Sequence, residues 1–221
     1  MLADAPARAQ VAGGVTLQND DEFRGYSLSD HHPVATFSLS YENTAGLYVN
    51  GAATGAMSGD GDPTVLNMLE NIGYARRLNS VVSIDGGVIR SDYFEHYGAL
   101  KSKGYTEAYL GLVGDAWSSH IYLSPNYFGR GARTLYGEAE YTLPLPGEVY
   151  LGAHLGLLDV LSGAYRAARP PPEFDWRLTA SRRFGAFDLH AAVSGGGPGA
   201  AIYYQGPRPG TALVVGAGWT F

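Results

Sequence analysis

Strict alternation of apolar and polar residues is the feature that most constrains this chain. In residues 35–42, Ala, Phe, Leu and Tyr occupy one face of an extended strand, and Thr, Ser, Ser and Glu occupy the other. The same period of two recurs in 135–141, 149–157, 174–181 and 187–194. Such a strand presents one face to an apolar medium and the other to a polar one. The pattern therefore predicts an all-β protein built from amphipathic strands.

Runs of this kind continue along the whole chain. They predict strands at 9–18, 33–42, 47–55, 65–75, 81–90, 104–113, 116–125, 133–142, 148–158, 174–181, 186–195 and 211–221. Strands of roughly 8 to 11 residues are long enough to cross a bilayer when tilted, and the connectors between these strands alternate between short and long. We therefore expect a single domain, residues 1–221: a transmembrane antiparallel up-and-down β-barrel of about 12 strands, with short periplasmic turns and long extracellular loops.

Aromatic residues nearest the predicted short turns share the apolar face. We expect them to form a periplasmic aromatic girdle, made of Tyr41, Tyr74, Trp117, Tyr141, Phe187, Trp219 and Phe221. Amphipathic aromatic rings favour the headgroup zone of a membrane. The last strand alternates in the same way and ends on Phe221, so it resembles the C-terminal strands of bacterial outer-membrane proteins. That resemblance implies a partner, the barrel-assembly machinery, which reads such strands.

Composition narrows the classes of partner. The chain has 15 Lys and Arg against 21 Asp and Glu, a net charge of −6, so it offers no basic surface for nucleic acid. It has no Cys, which excludes disulfides, thiol nucleophiles and Cys-based zinc sites. Residues 1–5 lack the charged region and apolar core of a secretory signal. We expect a mature chain, without its signal peptide, that lies in a bacterial outer membrane in contact with lipid and lipopolysaccharide.

The polar faces of the strands would line the lumen of the barrel. A charged layer is expected near mid-height, formed by Asp85, Glu107, His120, Glu138, His154, Arg177 and His190. Carboxylates outnumber permanent bases there, so an open lumen would prefer cations or neutral polar solutes over anions. We expect a narrow pore for passive diffusion of small polar or cationic solutes. The alternative is a plugged barrel that acts as a structural or partner-binding protein through its extracellular loops, with residues 195–205 able to fold inward.

Catalysis and metal binding are both disfavoured by strand geometry. Ser118 and His120 share a face beside Glu138, but residues two apart on a strand stand about 7 Å apart, too far for a direct hydrogen bond. The histidines of the lumen, His120, His154 and His190, fall on alternate strands about 10 Å apart, which strains a common zinc site. We therefore expect no enzyme, no metal site and no cofactor.

Two further features stand outside this scheme. The loop residues 165–172 and 203–209 are rich in Tyr, Arg and Pro, which suits contacts with lipopolysaccharide phosphates or with another outer-membrane protein. Glu70 falls on the apolar face, where a charge at mid-depth costs about 2 kcal/mol. A β-bulge near 67–71 would turn this carboxylate inward.

One segment carries a family resemblance. The stretch Phe23-Arg24-Gly25-Tyr26-Ser27-Leu28-Ser29-Asp30, followed by Pro33 and then by Gly46-Leu47-Tyr48, resembles the start of the Gcw-type family of proteobacterial outer-membrane proteins. The resemblance covers about fifty residues. It implies an outer-membrane barrel, and it brings no activity and no catalytic residues to this chain.

Overall fold

The computed structural model describes residues 9–57, 61–94, 103–129, 131–163, 171–197 and 210–221. Their strands are β1 (Gln10–Gln18), β2 (Glu22–Phe23), β3 (Tyr26–Ser27), β4 (Val34–Glu42), β5 (Leu47–Met57), β6 (Pro63–Arg77), β7 (Ser83–Tyr93), β8 (Lys103–Val113), β9 (Trp117–Tyr127), β10 (Ala132–Leu145), β11 (Val149–Ser162), β12 (Glu173–Phe184), β13 (Phe187–Gly197) and β14 (Ala212–Thr220). Strands β2 and β3 form a small separate hairpin, and the other strands form one closed barrel.

The barrel wall is antiparallel throughout and closes where β1 meets β14. Along this seam Gly14 lies opposite Thr220, and Gln18 lies opposite Gly216. Gly13 and Phe221 exchange two backbone hydrogen bonds, each of 2.9 Å. The C-terminal residue thus completes the seam. The predicted all-β fold, a closed antiparallel barrel with twelve wall strands, is confirmed.

The apolar faces of the wall strands point outward and stay exposed. Leu155, Leu213 and Leu110 are exposed by 66%, 61% and 60%. A continuous exposed apolar belt on a closed barrel is stable in contact with lipid, because it would otherwise be a large unburied patch in water. The predicted girdle residues lie on the same outer surface with exposures between 38% and 59%, and their place in the headgroup zone stays a prediction.

No helix in the described part of the chain is long and apolar enough to cross a membrane.

Some strands run further than the alternation predicts. β10 spans Ala132–Leu145 and β11 spans Val149–Ser162, several residues longer than expected. Because the flanking strands are longer, two connections expected to be long are reduced to residues 58–62 and 128–131. Pairing between strands is a property of the backbone, so the ladder continues where the side-chain alternation has already ended.

The strand that carries Glu70 contains a bulge, but at another place than expected. The register shifts opposite Thr54 and Gly55, where Leu66 is the extra residue and turns inward to 4% exposure. Alternation resumes after the bulge, and Glu70 therefore stays on the outer surface. The expectation that a bulge near 67–71 turns this carboxylate inward is wrong.

The interior of the barrel is packed with aromatic rings near the extracellular end. Its buried cluster consists of Tyr26, Tyr93, Tyr105, Tyr127, Phe128, Ala132, Tyr136, Leu158 and Val160. Tyr26 comes from the segment between β1 and β4, and Phe23 and Leu28 of that segment pack against the same cluster. Residues 19–33, which we call the inner segment, therefore fold into the barrel instead of forming an extracellular loop.

Replacement of Leu155 by Arg tests the lipid belt. A guanidinium in the middle of an apolar belt loses its hydration, so we expect L155R to lower the free energy of unfolding in lipid vesicles by about 2–4 kcal/mol. The same change at Val11, which pairs with the girdle residue Tyr41, should cost about 0–1 kcal/mol because it lies near the interface. Urea titration of folded protein in vesicles measures both values. Equal losses of unfolding free energy at Leu155 and Val11 would contradict the assignment of Leu155 to the middle of a lipid-facing belt.

Candidate functional site in the barrel lumen

The inner segment crosses the lumen and is held by opposite walls. On one side the Asn67 amide donates a 2.7 Å hydrogen bond to Asp21. On the other side the Tyr26 hydroxyl donates to Glu173 at 2.9 Å, and the Ser194 hydroxyl donates to Glu22. These contacts reach β6, β12 and β13, so the segment spans the barrel instead of lying along one wall.

A tight hairpin turn places the Arg24 side chain inside the lumen. Strands β2 and β3 are joined by Arg24 and Gly25 alone, with φ of 48° and 79°. Two successive left-handed residues are typical of a type I′ hairpin turn, which favours Gly at its second position. A Cβ atom on Gly25 would lie 3.1 Å from the carbonyl oxygen of Gly195, so the tip fits closely against β13.

The Arg24 guanidinium forms a bidentate ion pair with Glu107. Nη2 lies 2.8 Å from Oε2 and Nη1 lies 3.2 Å from Oε1, and the two side chains are only 7% and 4% exposed. Nη1 also donates to the Tyr127 hydroxyl at 2.8 Å. The guanidinium carbon lies 3.7 Å from the centre of the Tyr136 ring, a cation–π contact. Arginine suits this site because its planar fork matches the carboxylate while its face stacks on the ring.

A second set of contacts holds the inner segment together from within. Asp20 is 1% exposed and accepts hydrogen bonds from the hydroxyls of Ser27 at 2.6 Å and Ser29 at 2.8 Å. Its other oxygen lies 2.6 Å from Nδ1 of His31. The segment is thus a folded unit with its own polar core, which can dock on the barrel wall as one piece.

Two carboxyl groups of the inner segment, those of Asp21 and Glu22, have raised pKa values. Burial raises the pKa of Asp21 from 3.8 to about 6, against the hydrogen bond from Asn67, and the neighbouring Asp20 and Glu22 raise it further. Burial also raises the pKa of Glu22, against the hydrogen bond from Ser194. Desolvation disfavours the charged forms, so the docked segment favours protonated carboxyl groups at these positions.

Beneath the inner segment, His154 links two carboxylates of the lumen. Its Nε2 lies 2.8 Å from Asp175 and its Nδ1 lies 3.2 Å from Glu140. Only a doubly protonated ring can donate to both. Arg177 approaches Glu140 at 3.5 Å, and the Tyr136 hydroxyl donates to Asp175 at 3.1 Å. This group is therefore a connected network of opposite charges.

A second network lies closer to the periplasmic end. Asp85 accepts from the Tyr48 hydroxyl at 2.6 Å and lies 3.0 Å from Nε2 of His120. The Tyr48 and Tyr109 hydroxyls are in contact above Gly73, where a Cβ atom would lie 2.6 Å from the Tyr109 oxygen. Glycine at this inward position leaves the space in which the two tyrosines meet.

A cavity of about 210 Å³ separates the inner segment from the wall beneath it. Its lining includes Glu22 and Arg24 from the segment, and Glu138, Glu140 and Arg177 from the wall. The Glu138 carboxylate accepts from the Tyr122 hydroxyl at 2.7 Å. The cavity is small and polar, and its size suits water or a small solute group.

The predicted charged layer is divided in the structure. Glu107 pairs with the inner segment, His120 joins Asp85, and His154 joins Arg177 through Glu140. His190 lies apart from these groups, 3.1 Å from Asp188 on its own strand. The layer is therefore a column of separate networks, and its effect on selectivity stays a prediction.

The candidate residues for catalysis and for metal binding do not come together in the structure either. His120 bonds to Asp85, while Ser118 makes no side-chain hydrogen bond within the described residues. Among those residues, no group of three or more His, Asp or Glu side chains is placed to hold a metal ion. Most of the two Tyr- and Arg-rich loops, at 164–170 and 203–209, lies outside the described residues.

Arg24 is the central residue that the sequence analysis did not assign to the lumen. Its position between the predicted strands 9–18 and 33–42 indicates a long extracellular connector, and residues 195–205 are the segment that the sequence predicts to be able to fold inward. Of these, 198–205 lie outside the described residues. The signal was a short hairpin pattern, in which Arg24-Gly25 separates two aromatic-containing pairs, Glu22-Phe23 and Tyr26-Ser27.

Solved porin structures share the barrel fold. The chain matches a structure described as a KdgM porin at a TM-score of 0.57 and 15% identity, covering 95% of this chain and 99% of that one. It matches a NanC porin at 0.61 and 10%, covering 95% and 98%. It also matches the COG4313 outer membrane channel from Pseudomonas putida F1 at 0.52 and 16%, covering 100% and 99%. At these identities the likeness concerns the fold.

No curated protein matches the sequence. The model of a family described as bacterial protein of unknown function (Gcw_chp) matches residues 2–195, which include the inner segment and every wall strand from β1 to β12. The resemblance noted from residues 23–30 is thereby confirmed, and the chain belongs to the Gcw_chp family, with the fold of an outer-membrane β-barrel.

Proposed function

We propose that this protein is a channel of the bacterial outer membrane for small polar or cationic solutes, and that the inner segment is its gate. The exposed apolar belt supports the membrane location, and the fold shared with porins supports a channel. Passive diffusion needs the inner segment to leave its docked position, because the segment spans the lumen from β6 to β12 and β13.

The acidic column beneath the inner segment is the observation that carries the preference for cations. Among the described residues its carboxylates are Asp85, Glu138, Glu140, Asp175 and Asp188, and its permanent cations are Arg177 and Arg183. The histidines add positive charge only when protonated. A lumen with excess negative charge raises the local concentration of cations and lowers that of anions.

Replacement of Arg24 by Ala should open the channel. R24A leaves Glu107 buried without its cation, and breaking such a pair costs about 3–5 kcal/mol, which favours release of the segment. Single-channel recording in planar bilayers should show a higher open fraction in R24A, and also in E107Q, than in the wild type.

Arg177→Ala is the matched control for the Arg24 experiment. It removes a lumen arginine that is 45% exposed and whose ion pair is with Glu140 of the wall, and its charge acts on Glu22 of the inner segment only through space. The open fraction should therefore stay near the wild-type value. If R24A and E107Q are verified to insert and show no more channel openings than the wild type, the proposal that the inner segment is a gate is rejected.

Neutralising the acidic column should reduce cation preference. In the open R24A background, the double substitution of Glu138 and Glu140 by Gln removes two carboxylates from the cavity wall. The reversal potential in a salt gradient should shift toward zero, because less negative charge faces the permeating ions. Glu70→Gln removes one carboxylate from the outer surface and should leave the potential unchanged. An unchanged potential in the double variant would remove the column from the selectivity mechanism.

The gate should close more firmly at acid pH. The pKa of Asp21 is about 6 when the segment is docked and 3.8 when it is free, so docking is favoured below pH 4 and weakens as the pH rises through 6. The open fraction should therefore be lower near pH 4 than near pH 7.5. Asp20, Glu22 and Tyr93 are titratable neighbours of Asp21, and D21N isolates the contribution of Asp21 while keeping an acceptor for Asn67.

Asp30→Asn is the control for the pH experiment, because Asp30 is an exposed carboxylate of the same inner segment. We expect the open fraction of D30N to follow the wild-type pH dependence and that of D21N to lose part of it. A D21N channel with the full wild-type dependence would assign the effect to another group.

A closed barrel with a structural or partner-binding role is the second candidate function. It is favoured by the aromatic packing around the inner segment, where Tyr127, Phe128 and Tyr136 are at most 1% exposed. A segment packed so tightly is costly to displace. The same recordings separate the two functions, since a structural barrel stays silent even in R24A.

A further inference from the structure

The outer surface of the barrel carries a charged patch within its apolar belt. Arg90 and Asp92 on β7 form a two-point ion pair, with Nε donating to Oδ2 at 2.9 Å and Nη2 contacting Oδ1. The two side chains are 45% and 40% exposed. Glu70 lies opposite Arg90 on the neighbouring strand β6 and is also exposed. We call these three residues the belt patch.

The patch lies within the apolar belt and not at its rim. On β6, Glu70 is preceded by the outward Met68 and followed by the outward Ile72, which are 42% and 55% exposed. On β7, Val88 precedes Arg90 and Phe94 follows Asp92 on the same surface. Charged side chains facing lipid at this depth are destabilising, so a barrel that is alone in the membrane gains nothing from them.

The Glu70 carboxylate is the unsatisfied member of the patch. Within the described part of the chain it forms no hydrogen bond and no ion pair within 4 Å, although it faces Arg90 across the strand pair. Arg90 instead directs its guanidinium to Asp92 and, at 3.5 Å, to the Thr106 hydroxyl. Glu70 therefore acts on the Arg90 charge only through space. An ionised carboxylate without a direct contact to a cation is costly in a low-dielectric medium, so a cation from another molecule in contact with it would stabilise it.

A groove beside Glu70 leaves room for that molecule. Gly51 is the neighbour of Glu70 on β5 and has no side chain, and Leu39, Val49 and Ile72 form the sides of the groove. The groove has a volume of about 600 Å³ on the outer surface. It allows a second molecule to approach the sheet closely at the level of the charges.

We propose that a second copy of this chain covers the belt patch, in a two-fold dimer that places Glu70 of each copy against Arg90 of the other. The patch has one unpaired anion beside a cation, so a two-fold rotation brings opposite charges together twice. The dimer buries the three charged side chains away from lipid, and it completes the pairing that each single barrel lacks. This inference does not depend on whether the lumen conducts.

Charge reversal with mixing tests the two-fold arrangement. The chain has no Cys, so Asp115→Cys in the exposed β8–β9 turn gives one labelling position for energy transfer between copies in lipid vesicles. We expect transfer in the otherwise unmodified protein to persist on dilution with lipid. E70K alone and R90E alone should lose it, because each then presents like charges twice.

The mixture of the two variants is the decisive sample. With the donor on E70K and the acceptor on R90E, both contacts are attractive again, and every dimer pairs a donor with an acceptor. Transfer should therefore return, at about twice the value of an equal mixture of donor- and acceptor-labelled protein with the native patch. If energy transfer is lost in both single variants and does not return in their mixture, the two-fold pairing is overturned.

Two further variants protect the test against folding defects. Leu178→Lys puts an ammonium on β12, six strands from β6 in the barrel, and should keep the transfer. Gly51→Leu fills the groove without changing charge and should abolish the transfer, while the barrel folds normally because only the Leu69 carbonyl oxygen, at 3.9 Å, lies near its Cβ position. A protein with the native patch that stays monomeric at every dilution would overturn the proposal and leave the patch to lipid or to a different protein.

Discussion

The ion pair between Arg24 and Glu107 is the interaction on which the interior of this barrel depends. Both side chains are almost fully removed from solvent, and the guanidinium is enclosed by tyrosine rings. Desolvating two charges is expensive, so the pair is stable only with good geometry and further hydrogen bonds. The bidentate contact and the Tyr127 hydroxyl supply them. A residue so placed fixes where the inner segment sits, because a displaced guanidinium would leave a buried anion.

The rest of the inner segment is arranged to support this placement. The two-residue turn at Arg24 and Gly25 requires left-handed backbone at both positions, which costs more for arginine than for glycine. Asp20 compensates by organising the hydroxyls of Ser27 and Ser29 into a compact unit. The unit is docked by buried acids whose pKa values are raised, so its attachment is weaker when they are ionised. A strongly placed cation with weaker anchors around it suits a segment that docks and releases as a whole.

The barrel wall could be predicted from the sequence, and the inner segment could not. Alternation of period two identifies each wall strand because every strand meets lipid on one face and the lumen on the other. Residues 19–33 have no such constraint, since their inward part contacts protein on several sides while 30–33 are exposed, and their mixture of Ser, Asp and aromatic residues is also typical of a loop. The partners of Arg24 lie 83 and 103 residues away along the chain, a separation that a local pattern does not reveal.

Glu70 shows what alternation predicts about a charged residue of the wall and what it does not. Alternation assigned it correctly to the apolar face, and the cost of a charge there suggested a bulge that would turn it inward. The bulge exists at Leu66, where it serves the interior packing of β6 and leaves Glu70 outside. In the lumen the chain itself supplies a partner to a buried anion, as Arg24 does for Glu107. On the outer surface no residue in the described part of the chain forms an ion pair with Glu70, and under the dimer proposal its partner comes from another molecule. One physical rule, that a charge in a low dielectric needs an opposite charge, therefore accounts for the docked position of Arg24 and, under the dimer proposal, for the belt patch.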